Sequence, residues 1–302
     1  MRQLQFGVVI ALALAGAAFA GLYLWPIGTD SNLTVITGDA QRGAYLARMS
    51  GCIACHTDVE GGGQPLAGGL KLPTDFGTFY SPNLTTDPQN GIGAWSVEQF
   101  AKAVRQGVSP EGKAYYPSFP YPFYASFSDQ DVADLWAAFQ TVPPVAEPSR
   151  PHEMVPPFNV RAGLKVWRGL FLQSGRHEPD PEKSEEWNRG KFIVEGPAHC
   201  GACHTPRNFM GARQANYSLQ GADKLPGGGK SPPITSAALK QGGWTIRSLQ
   251  YALQTGIMPD GDVLGGSMGE VVRDGTAFLS DADRTAIAIY LLERRDWLGK
   301  PN

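Results

Sequence analysis

Apolar residues fall into one long run and several helix-spaced stripes along this chain. From Phe6 to Trp25 nearly every position is apolar, and at ~1.5 Å per helical residue the run is about long enough to cross the hydrocarbon core of a bilayer. Elsewhere the period is that of an α-helix. Ile287, Tyr290 and Leu291 recur at helical spacing within 281–295, and segments 97–106, 129–140 and 246–255 read as further short helices. Asp39 can cap a first helix reaching about Met49, with Gly43, Tyr45 and Leu46 on a face suited to close packing; Trp187, Gly190 and Phe192 repeat that arrangement later. Between Pro143 and Glu186 the chain is proline-rich. Inside that connection Val160 to Leu172 predicts a helix with Leu164, Trp167, Leu170 and Phe171 on one side and Arg161, Lys165 and Arg168 interspersed. Such a helix can pack across a domain junction or lie on a membrane surface or partner. No convincing alternating strand is present, so a mainly α fold is expected, and 37 glycines and 24 prolines imply long loops between the helices.

The stripes repeat. Trp95-Ser96-Val97 matches Trp244-Thr245-Ile246, Gly107-Val108 matches Gly256-Ile257, and Gly112 matches Gly261. Near the end of each unit Ser128-Asp129-Gln130-Asp131 matches Ser280-Asp281-Ala282-Asp283, and both open an apolar stretch that reads as a capped helix. The chain therefore reads as a duplicated module of roughly 100 residues per copy.

Each copy carries the same chemistry. Cys52-Ile53-Ala54-Cys55-His56 and Cys200-Gly201-Ala202-Cys203-His204 are two CxxCH sequences, and they use all four cysteines. One helical turn puts two thiols on a common face, where each can form a thioether to a haem vinyl group while the adjacent histidine offers a nitrogen to the iron. A structural zinc site would draw its cysteine pairs from closer together in sequence, and a redox CxxC needs neither a second copy nor a following histidine. Two covalent haem c groups are the expectation. A net charge of −2 shows no basic excess, which argues against nucleic acid as a partner. Arg2 ahead of the apolar run places the rest of the chain outside the cytosol, where c-type haems are attached. Ala18-Phe19-Ala20 resembles a signal-peptidase site, but the run continues through Leu22, Tyr23, Leu24 and Trp25, which favours an uncleaved anchor over a removed signal.

A haem with methionine opposite histidine shuttles electrons, whereas one with an open position binds small molecules. Met268, expected in a loop before the final helix, is the candidate sixth ligand in the second module; Met258, in Met-Pro-Asp-Gly, reads as a turn. Met268 stands 24 residues after Trp244, and the same interval from Trp95 reaches Phe119. Phenylalanine cannot ligate iron, so the first haem is five-coordinate or borrows a ligand, with Met154, His152, Met49, Tyr115, Tyr116 and Tyr121 all within reach in sequence.

Several stretches also resemble a known family. Arg42-Gly43 with Tyr45-Leu46-Ala47-Arg48, then Leu66-Ala67-Gly68-Gly69, Phe76 to Thr85, Gly91 to Ser96, Gly266 to Val272 and Ala286 to Leu291 look like the membrane-bound cytochrome c subunits of periplasmic alcohol and aldehyde dehydrogenases. The resemblance covers nearly the whole chain after residue 38. It implies a mainly α fold of two class I cytochrome c-like domains in tandem behind an N-terminal transmembrane helix: 1–28 as membrane anchor or signal segment, 36–142 and 187–300 as the two cytochrome domains, and 143–186 as the linker. It further implies an electron-transfer subunit, serving a periplasmic dehydrogenase catalytic subunit on one side and quinone, an oxidase or another cytochrome on the other. Many members carry three haems where this chain has two CxxCH motifs, and the methionine expected in the Tyr-Pro-x-x-Pro-Tyr segment is Phe119 here. The competing reading is a dihaem enzyme whose first haem binds or turns over peroxide or a reduced sulfur compound.

Overall fold

The computed structural model describes residues 5–6, 10, 16–17, 20–21, 24–31, 33–34, 37–172 and 178–296. The run Phe6 to Trp25 thus lies largely outside the described residues; among those described, no helix is long and apolar enough to cross a membrane.

The expected helices form where local chemistry starts and stops them. Helix α1 (Ala40–Met49) is capped by the Asp39 carboxylate, which accepts from the backbone N–H of Gln41 and Arg42, and one further turn, α2 (Cys52–Cys55), follows it. Helix α3 (Val97–Gln106) opens on a capping box between Ser96 and Gln99 and stops at Gly107, whose φ of 62° suits a residue without Cβ. The short α4 (Tyr121–Tyr124) and α5 (Asp129–Phe139) complete the first half. In the second half α7 (Glu185–Glu195), α8 (Ser236–Gln241), α9 (Ile246–Thr255), α10 (Gly266–Asp274) and α11 (Asp281–Glu293) follow α6 (Gly163–Phe171). Helix α9 repeats the devices of α3: a capping box between Thr245 and Ser248, and a stop at Gly256 with φ 78°.

In each half the first and last helices cross at a glycine. A Cβ on Gly43 would lie 1.8 Å from the backbone oxygen of Asp134, and one on Gly190 would lie 2.0 Å from that of Ala286, so only glycine allows these approaches. Beside the first crossing Arg42 clasps Asp134 at 2.8 and 2.9 Å; beside the second Arg189 clasps Asp283, both bonds 2.8 Å, one helical turn earlier. The halves share one hydrophobic cluster, in which Ile92, Val132 and Leu135 join Ile193, Ile287 and Leu291. Two reciprocal contacts fasten them. Tyr45 reaches Asp283 at 2.7 Å, and at the corresponding position of the other half Phe192 packs on Phe127 with ring centroids 6.4 Å apart.

The structure corrects the expectation of no strands. Strand β1 (Lys71–Thr74) pairs antiparallel with β2 (Gly77–Tyr80), and β3 (Glu153–Met154) adds to β2 in a three-stranded sheet. These strands contain Pro73 and Gly77 and are too short to show a two-residue period, which is why the sequence hid them. The start of the proline-rich connection is tied to the first half: Asn83 Nδ2 donates to the carbonyl oxygens of Val145 (2.8 Å) and Glu147 (2.9 Å). Helix α6 spans both halves, burying Leu164 against Phe79, Ala114 and Tyr116 while Trp167 Nε1 donates to the Met210 oxygen at 2.9 Å.

Candidate functional site

Both CxxCH sequences fold as single tight turns at the end of a helix. Gly51, with φ 68°, ends the run from α1 and starts the Cys52–Cys55 turn, in which His56 N–H donates to the Cys52 oxygen at 3.0 Å. In the second half His199 takes the place of Gly51. Its φ of 39° and ψ of 40° put a non-glycine residue in the left-handed region, and the 3-10 turn Cys200–Ala202 follows with His204 N–H donating to the Cys200 oxygen at 3.0 Å. In each turn the first cysteine is half-buried and the second exposed, and none of the four is in a disulfide.

The histidines are held alike. His56 Nδ1 lies 2.8 Å from the Pro82 carbonyl oxygen, and His204 Nδ1 lies 2.8 Å from that of Pro232. A carbonyl oxygen only accepts, so Nδ1 carries the hydrogen at both sites and Nε2 keeps its lone pair for a metal. Burial lowers the pKa of both imidazoles, partly offset by these bonds, which favours the neutral form that ligation requires. Burial also pushes the thiols of Cys52 and Cys200 up to about 12. Two thiols on one turn beside an imidazole with a free Nε2 fit a covalent haem c at each place.

Side chains beside the prolines fix these loops. Asn83 is buried, and its Oδ1 accepts from the Thr85 N–H at 2.8 Å and the Thr85 hydroxyl at 2.7 Å. Ser231, next to Pro232, donates its hydroxyl to the Cys203 oxygen at 2.7 Å. Pro82 lies in the stretch Phe76 to Thr85 that carries the family resemblance, whereas Pro232 had no signal in the sequence.

The two turns adjoin. A Cβ on Gly51 would stand 3.5 Å from His199 Cε1. An aromatic wall fills the junction: the His199 ring packs on Phe123 (6.0 Å) and Tyr124 (6.2 Å), and the Tyr124 hydroxyl donates to the Ser50 oxygen at 2.7 Å. His199, Phe123 and Tyr124 carried no signal in the sequence beyond their aromatic character.

The candidates for a sixth ligand fall in different places. Met268 is half-buried in helix α10, not in a loop as expected; Gly265 and Gly266 mask the helix start, since glycine is a poor helix former. Met258 lies in a turn, its N–H donating to the Asp262 oxygen at 2.8 Å. Phe119 sits among the rings of Tyr115 (5.9 Å), Tyr121 (6.1 Å) and Tyr124 (5.9 Å). Burial pushes the Tyr115 phenol up to about 12, with Glu111 adding to the rise. His152 Nδ1 accepts from the Tyr80 N–H at 3.2 Å, Met154 belongs to β3, and Met49 is buried in the core at the end of α1.

Comparison with known proteins agrees with this chemistry. The cytochrome c family model matches residues 40–139. A protein described as a dihaem c-type cytochrome, from Cereibacter sphaeroides, is 42% identical over 300 residues, covering 96% of this chain and 97% of its own. The cytochrome c subunit of gluconate 2-dehydrogenase from Pantoea cypripedii is 39% identical over 94% of this chain and 64% of its own. That of quinone-dependent alcohol dehydrogenase from Gluconacetobacter polyoxogenes is 38% identical over 83% of this chain and 55% of its own, so this chain spans little more than half the length of that relative.

Proposed function

This chain belongs to the cytochrome c family, alongside dihaem and dehydrogenase-associated cytochromes c, and we propose that it is a dihaem subunit carrying electrons from a periplasmic dehydrogenase to the respiratory chain. The observation that carries this reading is the donor set repeated at two adjoining turns, each histidine 2.8 Å from a proline oxygen. A bound haem supplies one-electron exchange between Fe(III) and Fe(II). The chain does the rest. Cys52 and Cys55 tether one haem and Cys200 and Cys203 the other, in domains 36–142 and 187–300. His56 and His204 offer Nε2 to the irons, oriented by Pro82 and Pro232. Met268 is assigned as the second iron's other ligand, and Phe123, Tyr124 and His199 pack together at the junction of the two turns.

The electron source is a dehydrogenase catalytic subunit and the acceptor a quinone, an oxidase or another cytochrome. The apolar run Phe6 to Trp25 anchors the chain in the cytoplasmic membrane with both haem sites on the periplasmic side. Its end supports this placement: Lys165 Nζ donates to the Trp25 oxygen at 2.6 Å, and α6 beside it exposes Val166 and Leu170, with Val160 just before. That outer face suits the lipid interface.

The test is direct. Purified protein should contain two haems per chain and a mass greater than the bare polypeptide by both groups. Met268→Ala should abolish the methionine-to-iron absorption band and lower one midpoint potential; an unchanged spectrum would overturn that assignment.

Phe119, ringed by tyrosines where the second half has Met268, favours a second reading in which the first haem binds a small substrate such as peroxide or a reduced sulfur compound. Carbon monoxide binding to the reduced protein, with turnover of such a substrate and no reduction by a dehydrogenase, would establish that reading instead.

A further inference from the structure

Helix α3 and the loop after it are covered in the first half by the chain itself. Thr29 N–H donates to Gln106 Oε1 at 2.8 Å, Leu164 packs with Ala114 and Tyr116, and Arg161 and Arg168 donate to the backbone oxygens of Ala114 (2.6 Å) and Gln106 (2.8 Å). Under that cover Val108 is 0% exposed and Ala114 6%.

The second half repeats the element without the cover. Loop 256–264 has the same bonds as loop 107–115: Met258 N–H to the Asp262 oxygen at 2.8 Å, as Ser109 to Lys113 at 2.8 Å, and Leu264 N–H to the Gly256 oxygen at 2.7 Å, as Tyr115 to Gly107 at 2.8 Å. Yet Ile257, the counterpart of Val108, is 36% exposed, and Val263, the counterpart of Ala114, is 63% exposed. Tyr251 adds an aromatic ring, 49% exposed, on α9. No described residue occupies the place that α6 and residues 28–30 fill in the first half.

We propose that this face docks a basic, amphipathic segment of the partner dehydrogenase, seated on the second half as α6 is seated on the first. The proposal rests on the electron-transfer reading above. The first half shows what fits such a surface: one apolar side chain over the loop and guanidinium groups on the free backbone oxygens. Charge points the same way, since the loop carries exposed Asp260 and Asp262 where the first half has Glu111 and Lys113. A second copy of this chain cannot supply its own α6, whose Leu164 is already buried at home. An anionic lipid surface would be repelled by Asp260 and Asp262. The loop leads directly into α10, the helix that carries Met268.

The experiment places a photoreactive benzoylphenylalanine at Val263 in the full-length protein in its native membranes. Irradiation should yield an adduct mapping to a basic amphipathic segment of the dehydrogenase that reduces the protein. Adducts only to lipid or to a second copy of this chain, or no adduct, would overturn the proposal. As an independent arm, Val263→Lys with Asp262→Lys should slow substrate-driven haem reduction about tenfold or more, with circular dichroism, haem spectrum and dithionite reduction unchanged. Equal rates in variant and parent would sink the docking face alone, whereas a parent that no dehydrogenase substrate reduces would sink the electron-transfer reading.

Discussion

Tyr45 in the first half donates its hydroxyl to the Asp283 carboxylate in the second, 2.7 Å away, and the same oxygen accepts from the Ser280 N–H at 2.9 Å. The hydroxyl thus ties the first helix of one half to the capped start of the last helix of the other. Tyr45→Phe keeps the ring and removes both bonds, one of them to a charged group. It should lower stability by about 1–3 kcal/mol, read from denaturant unfolding with an unchanged slope.

The glycine crossings should be far less tolerant. Gly43→Ala and Gly190→Ala each drive a methyl group into a backbone oxygen, so the paired helices must move apart. We expect each to cost about 3 kcal/mol or more. Gly169→Ala, in α6 with nothing within 4 Å of the added Cβ, should instead stabilise by about 0.5–1 kcal/mol. Thermal melts of the three variants check the contrast.

Stability should fall in acid through the aspartates at the helix crossings. Burial raises the pKa of Asp283, but the bonds from Arg189 and Tyr45 and the Arg189 charge outweigh it and hold the carboxyl below its usual range; at Asp134 burial is likewise outweighed by the bonds from Arg42, the Asp39 N–H and Gln130 and by the Arg42 charge. A carboxyl lowered on folding contributes stability above its unfolded pKa of about 3.9, lost as pH falls through the folded value. Melting temperature should therefore decline below about pH 4. Asp283→Asn should melt lower at neutral pH and show a shallower decline, measured by melts from neutral pH into acid.

Phe119 offers a gain of function. If the first haem lacks a methionine because this position holds phenylalanine, Phe119→Met should add a second methionine-to-iron band, raise the lower midpoint potential and suppress carbon monoxide binding. Optical titration against potential measures all three.

Local chemistry was legible residue by residue. The boundaries of α3 and α9 follow from Ser96, Thr245 and the left-handed glycines Gly107 and Gly256, because a cap and a stop act within one turn of the backbone. The two CxxCH turns are local in the same way, and so is their chemistry. Other features depend on residues distant in sequence. Pro82 and Pro232 orient the histidines only because loops bring them there, and β2 finds β3 only because Asn83 and its neighbours tie the later chain back.

The sequence by itself determined the caps and stops of α3 and α9 and the thiol and imidazole groups of the two CxxCH turns, since each rests on spacing within a few residues. Tertiary structure decided that the two motif turns adjoin across His199 and Tyr124, that Arg189 pairs one turn earlier than Arg42, and that one copy's loop is covered and the other's is not. These follow from which surfaces meet. A one-turn shift or an uncovered loop leaves local propensities unchanged, so only long-range packing selects between the alternatives.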